Sequence, residues 1–122
     1  MAFYCENKEK LETIHPINEA YTEIANPIKL YELLVDLWSK ETCAFRMQKD
    51  WKKENPSLGQ CSITSFLTQD IFGGEVYGIK LEDGSFHCYN VVDGIAFDLT
   101  SEQFSYPLVY ELQNPQSREI HF

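Results

Sequence analysis

The chain has 122 residues, enough for one compact domain and too few for two. Its 43% apolar and 14% aromatic content suits a packed globular core and excludes disorder as the main state. Nineteen acidic residues against ten basic ones leave a net charge of −9, which repels phosphate backbones and anionic lipid and argues against nucleic-acid or membrane partners.

No apolar run approaches the roughly 20 residues of a membrane span. The opening MAFYCENKEK has neither the basic nor the apolar region of a signal peptide. The four cysteines, Cys5, Cys43, Cys61 and Cys88, form no CxxC pair and read as reduced thiols of a cytoplasmic protein. A closed zinc site would have to gather Cys43, Cys61, Cys88 and His87 from distant segments, so no metal or other cofactor is expected.

Residues 1–25 are polar and mixed, with a bend at His15-Pro16, and carry no clear element signal. Asn26-Pro27 opens a helix, since asparagine is a good N-cap and proline fits the first helical position. Leu30, Tyr31, Leu34, Leu37 and Trp38 then share one face, opposite Lys29, Glu32, Asp36 and Lys40. Residues 46–57 are charged and read as an irregular connection with room for a short helical turn. Trp51 stands out there, either as a loop anchor or as part of a site.

A second helix is expected over roughly 59–71, with Ile63, Phe66, Leu67 and Ile71 inward and Gly73 at its C-terminus. Ser57 and Gln60 have capping-box spacing, which puts Cys61 in or beside the first turn. From Glu75 the period changes to two, with Asp83-Gly84 and Asp93-Gly94 as hairpin turns. Strands over 75–81, 85–92 and 95–99 form a meander, and 108–112 is a candidate fourth strand. The result is a single α+β domain over 1–122, with helices in 26–72 packed on an antiparallel sheet in 75–112.

If both Asp-Gly turns are two-residue loops, Glu82 faces Ser85 and Val92 faces Ile95. His87 then sits opposite Thr100 and Tyr89 opposite Asp98. His87 and Asp98 become diagonal neighbours, about 7–8 Å apart at Cβ. The same register puts Lys80 and Gly78 on the His87 face. Tyr77, Ile79, Leu81, Phe86, Cys88, Ile95, Phe97 and Leu99 fall on the other.

Cys61 completes a chemically meaningful set. A thiol at a helix N-terminus meets unpaired backbone N–H groups that favour the thiolate. His87 supplies a base and Asp98 an acceptor that fixes the imidazole. Backbone N–H groups near Cys61, with Gln60, would receive an oxyanion, and Gly59 permits close approach of a substrate. Gln60 and Trp51 are the candidate positioning residues. The plainer readings stand beside this: Cys61 as an inert small hydrophobe, His87 as a structural residue, and Asp98-Leu99-Thr100 as a cap for a turn at Ser101–Phe104. His15 and His121 read as surface residues. Gly73-Gly74 lacks a following lysine and is a helix stop rather than a phosphate loop.

Several ordered motifs resemble those of the YunG-like family of small bacterial proteins. They are Leu37-Trp38-Ser39, Glu41-Thr42-Cys43, Trp51, Asn55-Pro56 and Gly59-Gln60-Cys61. Gln69-Asp70, Phe72-Gly73-Gly74-Glu75, His87 with Asn90, Asp98-Leu99-Thr100 and Gln103-Phe104 follow, so the likeness spans about 30–104. The resemblance implies a compact papain-like or transglutaminase-like core, with Cys61, His87 and Asp98 in the catalytic roles. Cys88-Tyr89 stands where two aromatics commonly follow the family's histidine, so one bulky group is missing. Asn90 reads as a structural hydrogen-bonding residue, and Cys43 as core packing or else a redox partner.

The expectation is a thiol hydrolase or acyltransferase acting on an amide, isopeptide or thioester carbonyl of a peptide or small molecule. The alternatives are an idle binding domain of the same fold and a metal site around Cys61 and His87.

Overall fold

The computed structural model describes residues 3–121. Four antiparallel strands form one sheet in the order β1-β4-β3-β2, with β1 at Tyr4–Cys5, β2 at Glu75–Lys80, β3 at Phe86–Val92 and β4 at Ile95–Asp98. The helices are α1 (Lys8–Leu11), α2 (Pro27–Leu37), α3 (Cys61–Phe72) and α4 (Arg118–His121), with 3-10 turns at Glu19–Tyr21, Phe45–Asp50 and Ser101–Gln103. This is the expected α+β arrangement of helices on an antiparallel sheet.

Helix α2 starts as its sequence dictates. The Asn26 side chain accepts from the Lys29 N–H at 3.0 Å and Pro27 occupies the first turn. Leu30, Leu34 and Trp38 are buried, whereas Leu37, expected inward, is 67% exposed. Helix α3 ends at Gly73 as expected, but its buried face is more polar than the pattern implies. Thr64, Ser65 and Thr68 lie inside with Phe66 and Ile71, and Ile63 faces out. Several polar groups there are paired: the Trp38 indole N–H donates to Thr64 Oγ1 at 3.0 Å, Thr68 Oγ1 donates to the Thr64 carbonyl at 2.7 Å, and Asn90 Nδ2 donates to the Ser65 carbonyl at 2.8 Å. Asn90 therefore ties the sheet to α3.

The second hairpin has the expected register, Val92 opposite Ile95 across an Asp93-Gly94 turn in which both residues have positive φ. The first is shifted by one residue. Lys80 pairs with Phe86 and Ile79 with His87, leaving Glu82, Asp83 and Gly84 as a three-residue loop. Asp83 Oδ1 accepts from the Ser85 N–H at 2.9 Å and the Gly84 N–H donates to the Leu81 carbonyl at 3.0 Å, which stabilises the longer loop. Because side chains alternate, the slip moves Tyr77, Ile79 and Leu81 to the His87 face and turns Gly78 and Lys80 to the Cys88 face.

No strand forms over 108–112. The fourth strand is β1, from the segment that carried no signal, with Tyr4 opposite Asp98 and Cys5 opposite Phe97. The far edge is covered too: the Gly78 N–H donates to the Asn114 carbonyl and the Gln116 N–H to the Val76 carbonyl, both at 2.9 Å. Against one sheet face, α2 and α3 bury Phe97, Leu99, Val92 and Ile95 in the main core. The other face is crossed by the segment following β4.

Candidate functional site

Cys61 begins α3 without a side-chain cap. Gln60 occupies the N-cap position with no capping hydrogen bond, and the expected partner Ser57 is buried with its hydroxyl unpaired. The first-turn amides of α3 are therefore not closed off by a side chain, the condition that favours negative charge at its end. Just ahead, Gly59 has φ 71, and a Cβ there would collide with Cys43 Sγ. A bare backbone at 59 fixes how the chain enters α3.

His87, on the central strand, is 1% exposed, as is Asp98. Its Nε2–H donates to Asp98 Oδ2 at 2.6 Å across the diagonal that the second turn creates. The Tyr110 hydroxyl donates to the same oxygen at 2.8 Å, while Asp98 Oδ1 accepts from the Thr100 N–H at 3.1 Å and Thr100 Oγ1 at 3.2 Å. Asp98 thus holds the His87 ring and bonds to Thr100, but it does not cap the 3-10 turn, whose N-cap residue Thr100 has no side-chain capping bond. With Nε2 held by an acceptor, Nδ1 is the nitrogen left to interact with the Cys61 thiol.

Cys61 is half-buried and packs against Cys88 and Phe66. Its thiol is held well below the ordinary range, chiefly because the Cys88 thiol donates to its sulfur; burial opposes this, and the hydrogen bond and positive charge of His87 lower it further. The Cys88 thiol is pushed up by that same contact, by burial and by the Cys61 charge, so it remains the protonated donor. Burial pulls the His87 imidazole down, but the charge and hydrogen bond of Asp98, joined by Cys61, push it up to about 10. The combined effect favours a thiolate facing an imidazolium.

Cys61 and His87 share the wall of a cleft of about 440 Å³, which Met47, Leu81, Phe86 and Phe104 make largely apolar. Phe104 meets the His87 ring edge-on, with centroids 4.8 Å apart. Arg46 and Asp83 pair at 3.2 Å between the 3-10 turn and the first hairpin loop.

Two positioning candidates are not brought to this cleft. The Gln60 side chain is fully buried and donates to the Ser39 carbonyl at 3.0 Å, leaving its Oε1 unpaired. It points into the protein because Ser39 there needs a donor, so it offers nothing to an oxyanion. Trp51 does not line the cleft; its indole N–H donates to the Pro56 carbonyl at 3.0 Å and closes the 51–56 loop on itself. Cys43 is buried and packs beneath Gly59. Among the described residues, no three His, Cys, Asp or Glu side chains gather as metal ligands would.

His121, read from sequence as a surface residue, lines the same cleft. Its Nδ1 lies 2.9 Å from Ser62 Oγ, and its Nε2 lies 2.7 Å from Gln116 Oε1 and 3.4 Å from Cys88 Sγ. No sequence pattern could have announced this, because the contacts span 59 and 33 positions. Gln103, another wall residue outside the original candidates, accepts from the Gly59 N–H at 3.2 Å and so fixes the loop entering α3.

A family model described as YunG protein matches residues 26–122. An uncharacterized protein YunG of Bacillus subtilis (strain 168) is 38% identical over 90 residues, covering 74% of this chain and 72% of that one. No solved structure matches. The match covers α2, α3, the meander and the cleft residues, and the chain belongs to the YunG family.

Proposed function

We propose that the chain is a thiol hydrolase or acyltransferase of papain-like or transglutaminase-like design, acting on an amide, isopeptide or thioester carbonyl. One observation carries the reading: a thiol at an uncapped helix start shares a cleft with an imidazole whose other nitrogen is held at 2.6 Å by a buried carboxylate. In the proposed reaction the Cys61 sulfur attacks the carbonyl carbon. The oxygen takes up the electron pair, stabilised by first-turn amides of α3. Collapse expels the leaving group, which takes its proton from His87, and leaves a thioester on Cys61. Water, or a second nucleophile in transfer, gives up a proton to His87 and releases the acyl group. Asp98 keeps the imidazole oriented throughout.

A specific observation favours a second reading. With Gln60 turned inward, no side-chain amide at the helix start is free for an oxyanion, as suits a binding domain that has the cleft without the chemistry.

The test is site-resolved labelling of the four cysteines at pH 7 with iodoacetamide, alongside incubation with p-nitrophenyl acetate and mass mapping of any acyl group. The proposal expects Cys61 to alkylate well ahead of Cys5 and to carry the transient acetyl. Equal slow labelling of all four, with no acyl adduct, would overturn it in favour of the binding domain.

A further inference from the structure

A second depression lies on the sheet face that carries His87, away from the thiol. It is an open groove of about 610 Å³ walled by Tyr4, Phe104, Tyr106 and Tyr110, with Glu102 as the only charged side chain on its lining among the described residues. Tyr4 and Tyr110 stack with centroids 3.9 Å apart and planes 11° apart, forming one aromatic wall. Phe104 and Tyr106, 5.7 Å apart and inclined by 58°, form another.

These rings are braced from behind rather than loosely exposed. Tyr110 abuts Tyr89 edge-on at 5.0 Å, and its hydroxyl is bound to Asp98 at 2.8 Å. Phe104 rests on His87. The Glu102 carboxylate accepts from the Tyr31 hydroxyl, and among the described residues no basic side chain is paired with it. Aromatic faces carry negative potential, and several of them beside a carboxylate, with no basic side chain among the described residues of the lining, make a poor site for an anion and a good one for a weakly hydrated cation. The net charge of −9 adds attraction at longer range.

We propose that this groove binds an organic ammonium group, with the rings around the head and Glu102 supplying the counter-charge. The groove shares Phe104 with the thiol cleft, but binding an ammonium there involves no reaction at Cys61, so its test needs no catalysis. Labelled full-length protein is titrated with choline and, separately, with 3,3-dimethylbutan-1-ol, which has the same shape without the charge. Amide shifts are followed by NMR. Choline is expected to shift resonances of 101–110 and to bind roughly tenfold more tightly than the alcohol. The mostly exposed Tyr106 is suited to substitution, and Tyr106→Ala should weaken choline roughly tenfold, with Glu102→Gln weakening it severalfold.

An N-acetyl-trimethyllysine amide separates the two sources of such a head group. Tighter binding than choline assigns the ligand to a protein side chain, and equal binding assigns it to a free amine. Equal affinity for choline and the alcohol, shifts confined to other residues, or no shift at about 10 mM would overturn the proposal.

Discussion

Helices α2 and α3 are nearly equal in length, yet they end differently and bury different chemistry. Helix α2 closes its own start with Asn26 and buries leucines, so its local sequence and its role agree. Helix α3 begins with no capping side chain, buries three hydroxyl-bearing residues, and holds a cysteine at its open end. The first is framework. In the second, the groups that ordinarily stabilise a helix start are left to act on a neighbouring sulfur, and the stability thereby forgone is offset by buried hydrogen bonds to Trp38 and Asn90.

The sharpest test of that contrast is His87→Ala. With Cys61 lowered and His87 raised to about 10, the thiolate is lost only as pH falls through the depressed Cys61 value and the imidazolium only as pH rises toward 10. Alkylation of Cys61 should therefore be nearly flat from pH 7 to 9. In His87→Ala it should be slower at pH 7 and should rise with pH, but stay ahead of an ordinary thiol because Cys88 still donates to the Cys61 sulfur. Parallel profiles in the two proteins would show that Cys88 and the start of α3 set the thiol without His87.

A smaller effect is expected from Gly59→Ala. It forces a side chain onto a backbone with φ 71 and against Cys43, at a cost of about 1–3 kcal/mol measured by urea unfolding. Unchanged stability would mean the loop is free to move and does not fix the approach to α3. The smallest effect belongs to α2: Asn26→Ala should lose about 1 kcal/mol while leaving the Cys61 alkylation rate unchanged. A slowed thiol in that variant would erase the distinction between the two helices.

What could be read from sequence was what neighbouring residues decide. Asn26-Pro27 marks α2, Gly73 stops α3, and Asp93-Gly94 makes a two-residue turn that places His87 diagonal to Asp98. Asp83-Gly84 looks identical on paper, but Asp83 bonds to Ser85 and lengthens the loop, so every side chain of β2 lies on the face opposite to the one expected. Strand β1 is two residues long and too short for a periodicity, and its pairing with β4 is decided across the whole fold. The outward Ile63 reflects the same limit: Asn90 and Trp38 select which face of α3 turns inward by bonding to its polar groups, which a count of apolar residues does not register. The orientation of Gln60 and the arrival of His121 likewise depend on partners far away in the chain.

The two margins of the sheet are finished by segments from opposite regions of the chain, Tyr4–Cys5 beside β4 and residues 114–116 beside β2. One contact at the first margin, from the Tyr4 N–H to Ser101 Oγ, joins positions 97 apart. Such high contact order predicts that closing the margins is late and slow compared with forming the meander. Until both are in place, an unfinished edge presents free amides to other chains, so aggregation during refolding should fall on intermediates rather than on the finished protein.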